Sequence, residues 1–274
     1  MNRIVLGDCL DELRKIPSDS IDLAFTSPPY EGARTYGIGF KLAGQDWVDW
    51  ALPRYIECVR VCRGLVAWVV EGRTKQFRYS ATPALLMADL VRSKIRLRKP
   101  GVFHRVGIAG SGGPDYLRND FEWIVCASKG KLPWSDNTAM GKPCKYETGG
   151  AMSNRTADGR RRNHKTGKRL IGNNGRPAIA NPGNVWKFAV GGGVMGDRLC
   201  HENEAPFPEG LAEAYIRSFC KPGGIVLDPF CGSGTTLAMA ERLGRQWLGM
   251  ECRASQVELS TRRLANVRAE SRAP

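Results

Sequence analysis

Along the chain, short apolar runs alternate with stretches whose apolar residues recur at helical spacing. Ile4-Val5-Leu6 reads as a short buried strand ending at Gly7-Asp8, and Leu10 to Ile16 as a short helix. Ile21 to Phe25 is a second strand, and it runs directly into two prolines. From Trp47 to Cys62 the residues Val48, Leu52, Tyr55, Ile56 and Val59 mark one helical face. Gly64 suits the C-terminal cap of that helix, and Pro53 is a point for a kink. Leu65 to Val70 is a wholly apolar strand, followed by a helix around Pro83 to Val91 and a strand around Phe121 to Ala127.

Residues 129 to about 198 break this rhythm, being rich in Gly, Asn and basic side chains. They read as an inserted, loop-rich module with little apolar surface to bury, part of it expected to be mobile when free. Regular alternation then returns. Gly210 to Phe219 is an amphipathic helix stopped by Lys221-Pro222-Gly223-Gly224, and Ile225-Val226-Leu227 is a buried strand. Thr235 to Leu243 is a helix, Gln246 to Met250 a strand ending at Glu251, and Ala254 to about Ala269 a terminal helix. Strands alternating with helices predict an α/β fold with a parallel, doubly wound sheet.

Composition changes this picture mainly through charge. The 274 residues are 42% hydrophobic and carry a formal net charge of +14. Residues 141 to 200 hold twelve Lys or Arg against three acids, an excess of nine that favours a polyanionic partner. No apolar run approaches the roughly 18 residues of a membrane span. The N-terminal residues lack a secretory pattern. Nine irregularly spaced cysteines without a Cys-x-x-Cys pair predict reduced thiols, a cytoplasmic protein and no zinc site. His104, His164 and His201 are too scattered for a metal site or a triad.

Two strand ends carry candidate chemistry. Asp228-Pro229-Phe230-Cys231-Gly232-Ser233-Gly234-Thr235-Thr236 follows a buried strand and opens a helix. Its glycines allow a tight turn and close approach of a ligand, and ligands bind outside the carboxyl ends of such strands. Asp228 can bind an ammonium, and Glu251 at the end of the next strand can grip ribose hydroxyls. A phosphate loop fits poorly, because no Lys precedes the Ser/Thr. Cys231, beside the glycines, reads as a packing residue.

The other strand end is Thr26-Ser27-Pro28-Pro29-Tyr30. Two prolines stiffen it and can leave a carbonyl exposed. An exocyclic amine is a poor nucleophile, because its lone pair is delocalised into the ring. Two acceptors for its hydrogens would localise that pair, and the Ser27 hydroxyl and Pro28 carbonyl are the candidates. Tyr30 can stack on the base. The loops Glu31 to Gly44 and Gly107 to Pro114 hold four glycines each, and either is a closing lid or a plain connection.

With these residues in place, the chain resembles the amino-methylating DNA methyltransferases. Ser27 to Tyr30 matches their catalytic motif, (Asp/Asn/Ser)-Pro-Pro-(Tyr/Phe/Trp), and Asp228 to Gly234 their cofactor motif. The order of catalytic motif, recognition region and cofactor motif resembles the β class. His201 to Leu211 resembles the segment before the cofactor motif, and Asn184-Val185-Trp186 the close of the recognition region. Gly7-Asp8-Cys9 resembles an element lining the adenine of the cofactor.

The resemblance implies a circularly permuted, Rossmann-like methyltransferase sheet of the seven-stranded type with a basic, loop-rich recognition insert. It implies a catalytic and cofactor-binding domain at 1–130 and 199–274, with the insert at 131–198. Ser27, Pro28, Pro29 and Tyr30 would be catalytic. Asp8, Cys9, Asp228, Pro229, Phe230, Gly232, Ser233, Gly234, Thr235, Thr236 and Glu251 would hold S-adenosylmethionine. Arg160, Arg161, Arg162, Lys165, Lys168 and Arg169 would contact the phosphates of double-stranded DNA.

Ser in the first motif position leans toward N4 of cytosine, with N6 of adenine as the alternative. Methylation of RNA or protein, and a non-catalytic nucleic-acid-binding role, remain as rivals. Pro143-Cys144 resembles the nucleophile of carbon-5 cytosine enzymes but lies in the basic insert, away from a strand end. A cognate restriction endonuclease and a second copy of the chain are partners left open.

Overall fold

The computed structural model describes residues 1–32, 39–107, 112–143, 179–191, 195–202 and 206–270. Contacts divide the chain into two compact units, Met1–Asp136 with Asn184–Pro274, and Asn137–Gly183. The division falls after Asp136 and before Asn184. The stretch after Asn184 belongs with the main unit because it supplies a strand of the sheet. In the second unit, the described residues include one bridge, Pro143 to Ile179. The predicted phosphate contacts Arg160, Arg161, Arg162, Lys165, Lys168 and Arg169 lie outside the described residues, as do Cys144 and His164.

The main unit contains β1 (Arg3–Leu6), α1 (Cys9–Arg14), β2 (Ile21–Thr26), α2 (Gln45–Val61) and β3 (Cys62–Val70). A small hairpin, β4 (Thr74–Lys75) and β5 (Arg78–Tyr79), leads to α3 (Thr82–Arg92). Then come β6 (Gly101–Val106), β7 (Phe121–Ala127), β8 (Val185–Ala189), a 3-10 turn at Arg198–Glu202 and α4 (Glu209–Phe219). The chain closes with β9 (Ile225–Asp228), α5 (Thr235–Arg242), β10 (Gln246–Glu251) and α6 (Ala254–Glu270). Eight strands form one sheet in the order β1-β10-β9-β2-β3-β7-β6-β8. β6 and β8 were not anticipated from the sequence. Polar His104 and Arg105 interrupt the apolar run of β6, and β8 alternates in burial as a half-exposed strand at the end of the sheet.

β1, β10, β9, β2 and β3 are mutually parallel, whereas β7 runs antiparallel to β3. The two N-terminal strands therefore flank the C-terminal pair, which is the permuted order expected. β3 shows why the sheet is covered on both faces. Val66, Trp68 and Val70 enter one core with residues of α1, α2 and α3, and Leu65, Ala67 and Val69 enter the other with residues of α4, α5 and α6. That period-two split explains the unbroken apolar run. β1 is an edge strand, and Leu6 is 55% exposed, so it is less buried than its apolar sequence suggests.

Two local expectations change. α2 continues through Pro53 to Val61. Gly64 does not cap it, because the chain is already extended at Cys62. Gly64 instead lies in β3 at a register shift against β2, where a Cβ would stand 1.8 Å from the backbone oxygen of Asp22. Glycine is required there by close strand approach. Gly64→Ala is expected to cost about 3 kcal/mol or more, read as a lower urea midpoint. An unchanged midpoint would contradict this packing.

Candidate active site

The sheet order gathers separated residues onto one edge. Because β1, β10, β9, β2 and β3 are parallel, their carboxyl ends meet there, bringing Asp8, Glu251, Asp228, Ser27 and Glu71. Antiparallel β7 adds Glu122 from its beginning, and β6 adds Arg105 from its end.

Asp228 closes β9 and is 1% exposed. Its Oδ1 accepts the Thr26 hydroxyl at 2.5 Å and the Phe230 amide at 3.1 Å. The first bond spans 202 residues and joins the two predicted motifs directly. Burial pushes the Asp228 carboxyl up to about 6, against the pull of Thr26, Thr236 and the Phe230 amide. Gly232 and Gly234 both adopt positive φ, 48° and 77°, so the turn between β9 and α5 needs glycine at both positions. Glu251 closes β10. Its Oε2 accepts the Gly232 amide at 3.1 Å and its Oε1 the Arg253 amide at 2.9 Å.

The other predicted cofactor residues support this turn. Ser233 and Thr235 are buried, and Arg263 of α6 reaches both, with its NH1 2.9 Å from the Thr235 hydroxyl. Arg263 is fully buried and pairs with Glu209 at 2.5 Å. Thr236 is buried beneath the turn, its hydroxyl 3.5 Å from the Phe25 carbonyl. Pro229 is buried too. Phe230 packs against Trp50 and edge-on to Trp68, with centroids 5.7 and 5.3 Å away. Cys231 is buried, and burial drives its thiol well above the usual range, as befits a packing residue.

Asp8 caps α1 by accepting the Leu10 amide at 2.8 Å, and it pairs with Arg54 at 2.8 Å. Burial opposes its ionisation, but Arg54 and the Leu10 amide outweigh that and hold its pKa low. Cys9 is in the core, its thiol pushed up to about 12 by burial, so its side chain is a packing group.

At the β2 end, the Ser27 hydroxyl donates to the Tyr30 hydroxyl at 3.2 Å, which donates to Glu122 Oε2 at 2.7 Å. Arg105 NH1 lies 3.1 Å from Glu122 Oε1. Trp47 Nε1 donates to the Pro29 carbonyl at 2.8 Å. Among the described residues, no hydrogen bond takes up the Pro28 carbonyl. Glu31 anchors the loop that follows. Buried and 3% exposed, it accepts the amides of Gly44 and Arg73 at 2.6 and 2.7 Å and the Ser80 hydroxyl. Residues 33–38 and 108–111 of the two glycine loops are outside the described residues.

Sequence reasoning missed Glu31, Arg54, Arg105, Glu122, Glu209 and Arg263. Only Arg263 had a local signal, as a cation on the apolar stripe Leu259, Arg263, Val267 of α6.

The acceptors fit a ligand bearing an ammonium and vicinal hydroxyls, since acidic groups close β9 and β10 on either side of a glycine turn. Among the described residues no group of three or more His, Cys, Asp and Glu could hold a metal ion. Nor is any described helix long and apolar enough to cross a membrane.

A site with two strand-end motifs fits an amino-methylating enzyme, and comparison with known proteins shows the class. The chain belongs to the N6/N4 DNA methylase family, whose model matches residues 21–262. It is 30% identical over 271 residues to the orphan methyltransferase M.BamHII of Bacillus amyloliquefaciens, covering 95% of this chain and 91% of that one. It is 27% identical over 267 residues to the DNA adenine methyltransferase YhdJ of Escherichia coli (strain K12), covering 95% and 82%. Among solved structures, the cytosine-N4-specific PvuII DNA methyltransferase superposes with a TM-score of 0.70 at 19% identity, covering 97% and 89%. A Thermus thermophilus protein complexed with S-adenosyl-L-methionine superposes with a TM-score of 0.62 at 23% identity, covering 97% and 94%.

Proposed function

We propose that this DNA amino-methyltransferase acts on N4 of cytosine at a specific site in double-stranded DNA, on a base flipped out of the stack. The methyl donor is S-adenosylmethionine. The observation that supports the reading is the Thr26–Asp228 bond, which joins the two strand-end motifs, and Ser27 in the first motif position favours cytosine. Asp228 would bind the ammonium, Glu251 the ribose hydroxyls, and Asp8 the adenosine side. The Phe230 ring and the turn from Gly232 to Thr236 would shape the pocket.

Bound there, the sulfonium supplies an electrophilic methyl. Ser27 Oγ and the Pro28 carbonyl would each accept one hydrogen of the target amine, and so localise its lone pair. Tyr30 would stack on the base. Direct transfer would form the N–CH3 bond as the S–CH3 bond breaks, releasing S-adenosylhomocysteine, with the surplus amine proton lost to solvent; it needs no covalent intermediate and no metal. Phosphate contacts by Arg160, Arg161, Arg162, Lys165, Lys168 and Arg169 would position the duplex. We place the enzyme in the cytoplasm, where its DNA is and where thiols stay reduced.

The adenine alternative is supported by YhdJ, named as a DNA adenine methyltransferase, so the product must be identified directly. Nucleoside analysis of DNA from an unmethylated host expressing the chain is expected to show N4-methylcytosine. N6-methyladenine would overturn the base assignment. Methyl label in RNA or protein but not in DNA would overturn the substrate. Sequencing the same DNA reports the recognition site.

A further inference from the structure

We propose that Glu122 is a positioning residue that sets the direction of a hydroxyl chain, so that Ser27 meets the target amine as an acceptor. The inference rests on the reading of Ser27 given above. A serine hydroxyl can donate or accept. An exocyclic amine offers two hydrogens, so a serine that donated toward it would oppose the chemistry. Something must commit the Ser27 hydrogen elsewhere.

The bonds at the β2 end do this. Glu122 is 8% exposed and stands at the beginning of β7. A carboxylate only accepts. The Tyr30 hydroxyl donates to Glu122 Oε2 at 2.7 Å. With its hydrogen committed, the Tyr30 oxygen can only accept from Ser27, whose Oγ lies 3.2 Å away. Ser27 therefore spends its single hydrogen on Tyr30 and keeps its lone pairs for the amine.

Arg105 secures the far end of the chain. Its NH1 is 3.1 Å from Glu122 Oε1, and its NH2 donates to the Asn119 carbonyl at 2.9 Å. Burial raises the Glu122 pKa, while Arg105 and then Tyr30 oppose that rise and favour the carboxylate. Glu122 and Tyr30 are 92 residues apart, so only the antiparallel placement of β7 brings them together.

The test uses the full chain, labelled S-adenosylmethionine and DNA from an unmethylated host. Variants are Tyr30→Phe, Glu122→Gln, the two combined, and Ser27→Ala. Tyr30→Phe keeps the stacking ring and the Glu122–Arg105 pair, so it decides the matter even where Glu122→Gln folds poorly. Tyr30→Phe and Glu122→Gln are each expected to lower kcat about ten- to thirtyfold, with KM for DNA and cofactor affinity within about twofold. The double variant should be no slower than the slower single, because either break frees the same hydroxyl.

A wild-type kcat in Tyr30→Phe overturns the proposal, and so do two falls that multiply in the double variant. A parallel loss of cofactor affinity in Tyr30→Phe also overturns it, by assigning the cluster to packing alone. An active Ser27→Ala instead defeats the reading of Ser27 itself. An inactive Ser27→Ala beside wild-type Tyr30→Phe and Glu122→Gln defeats only the chain.

Discussion

Ser27→Ala lowers the rate of methyl transfer by about two to three orders of magnitude, on the scale of losing one preorganised hydrogen-bond partner of a transition state. The expectation comes from the geometry of the β2 end. Ser27 follows the last strand residue, is stiffened by Pro28 and Pro29, and is tied through Thr26 to Asp228 at the end of β9. Alanine changes none of these backbone constraints. It removes the oxygen that would accept one amine hydrogen, leaving the Pro28 carbonyl as the remaining acceptor. The effect belongs in kcat, since the lone pair is localised only as the methyl transfers. Single-turnover transfer of labelled methyl measures it, with calorimetry expected to show cofactor affinity within about threefold of wild type. A rate within threefold of wild type would remove Ser27 from the chemistry.

Asp228→Asn is expected to separate cofactor binding from stability. Asp228 ionises at 3.8 ordinarily and at about 6 in the folded protein, because it is buried. The folded state therefore holds a proton over a window where the unfolded chain has lost it. The contribution of Asp228 to the stability of the free protein is greatest below pH 4 and falls as pH rises through 6, by about 3 kcal/mol in all. Asp228→Asn keeps a side-chain oxygen for the Thr26 hydroxyl and the Phe230 amide but carries no charge.

At pH 8 the free variant should melt about 5 °C or more above wild type, with the difference shrinking toward pH 4. Its affinity for S-adenosylmethionine should fall at least about a hundredfold, since the ammonium loses its buried counter-charge. Calorimetric melts across pH and binding titrations at pH 8 check both halves. An equal Tm at pH 8 would overturn the stability half, and undiminished affinity the binding half.

Most strands and helices were legible because each is a periodic apolar pattern within one segment. β9 is a short apolar run closed by Asp228, β2 is apolar but for Asp22 and Thr26, and α4 has a clear apolar face. β6 escaped notice because the polar His104 and Arg105 interrupt its apolar pattern. Gly64 was misplaced because a glycine after a helix and a glycine at a strand crossing look alike until the neighbouring strand is present. The strand-end positions of Ser27, Asp228 and Glu251 were legible because each sits where an apolar run gives way to a turn.

The sequence by itself determined the alternation of strands and helices, the two strand-end motifs and the concentration of positive charge between 141 and 200. All of these are local properties of neighbouring residues. Only the tertiary structure decided that Thr26 bonds Asp228, that Glu122 and Arg105 stand behind Tyr30, and that Arg263 props the glycine turn after β9. Those partners lie between 17 and 202 residues apart along the chain. Strand pairing and helix packing join them, and no periodicity within a segment encodes that choice.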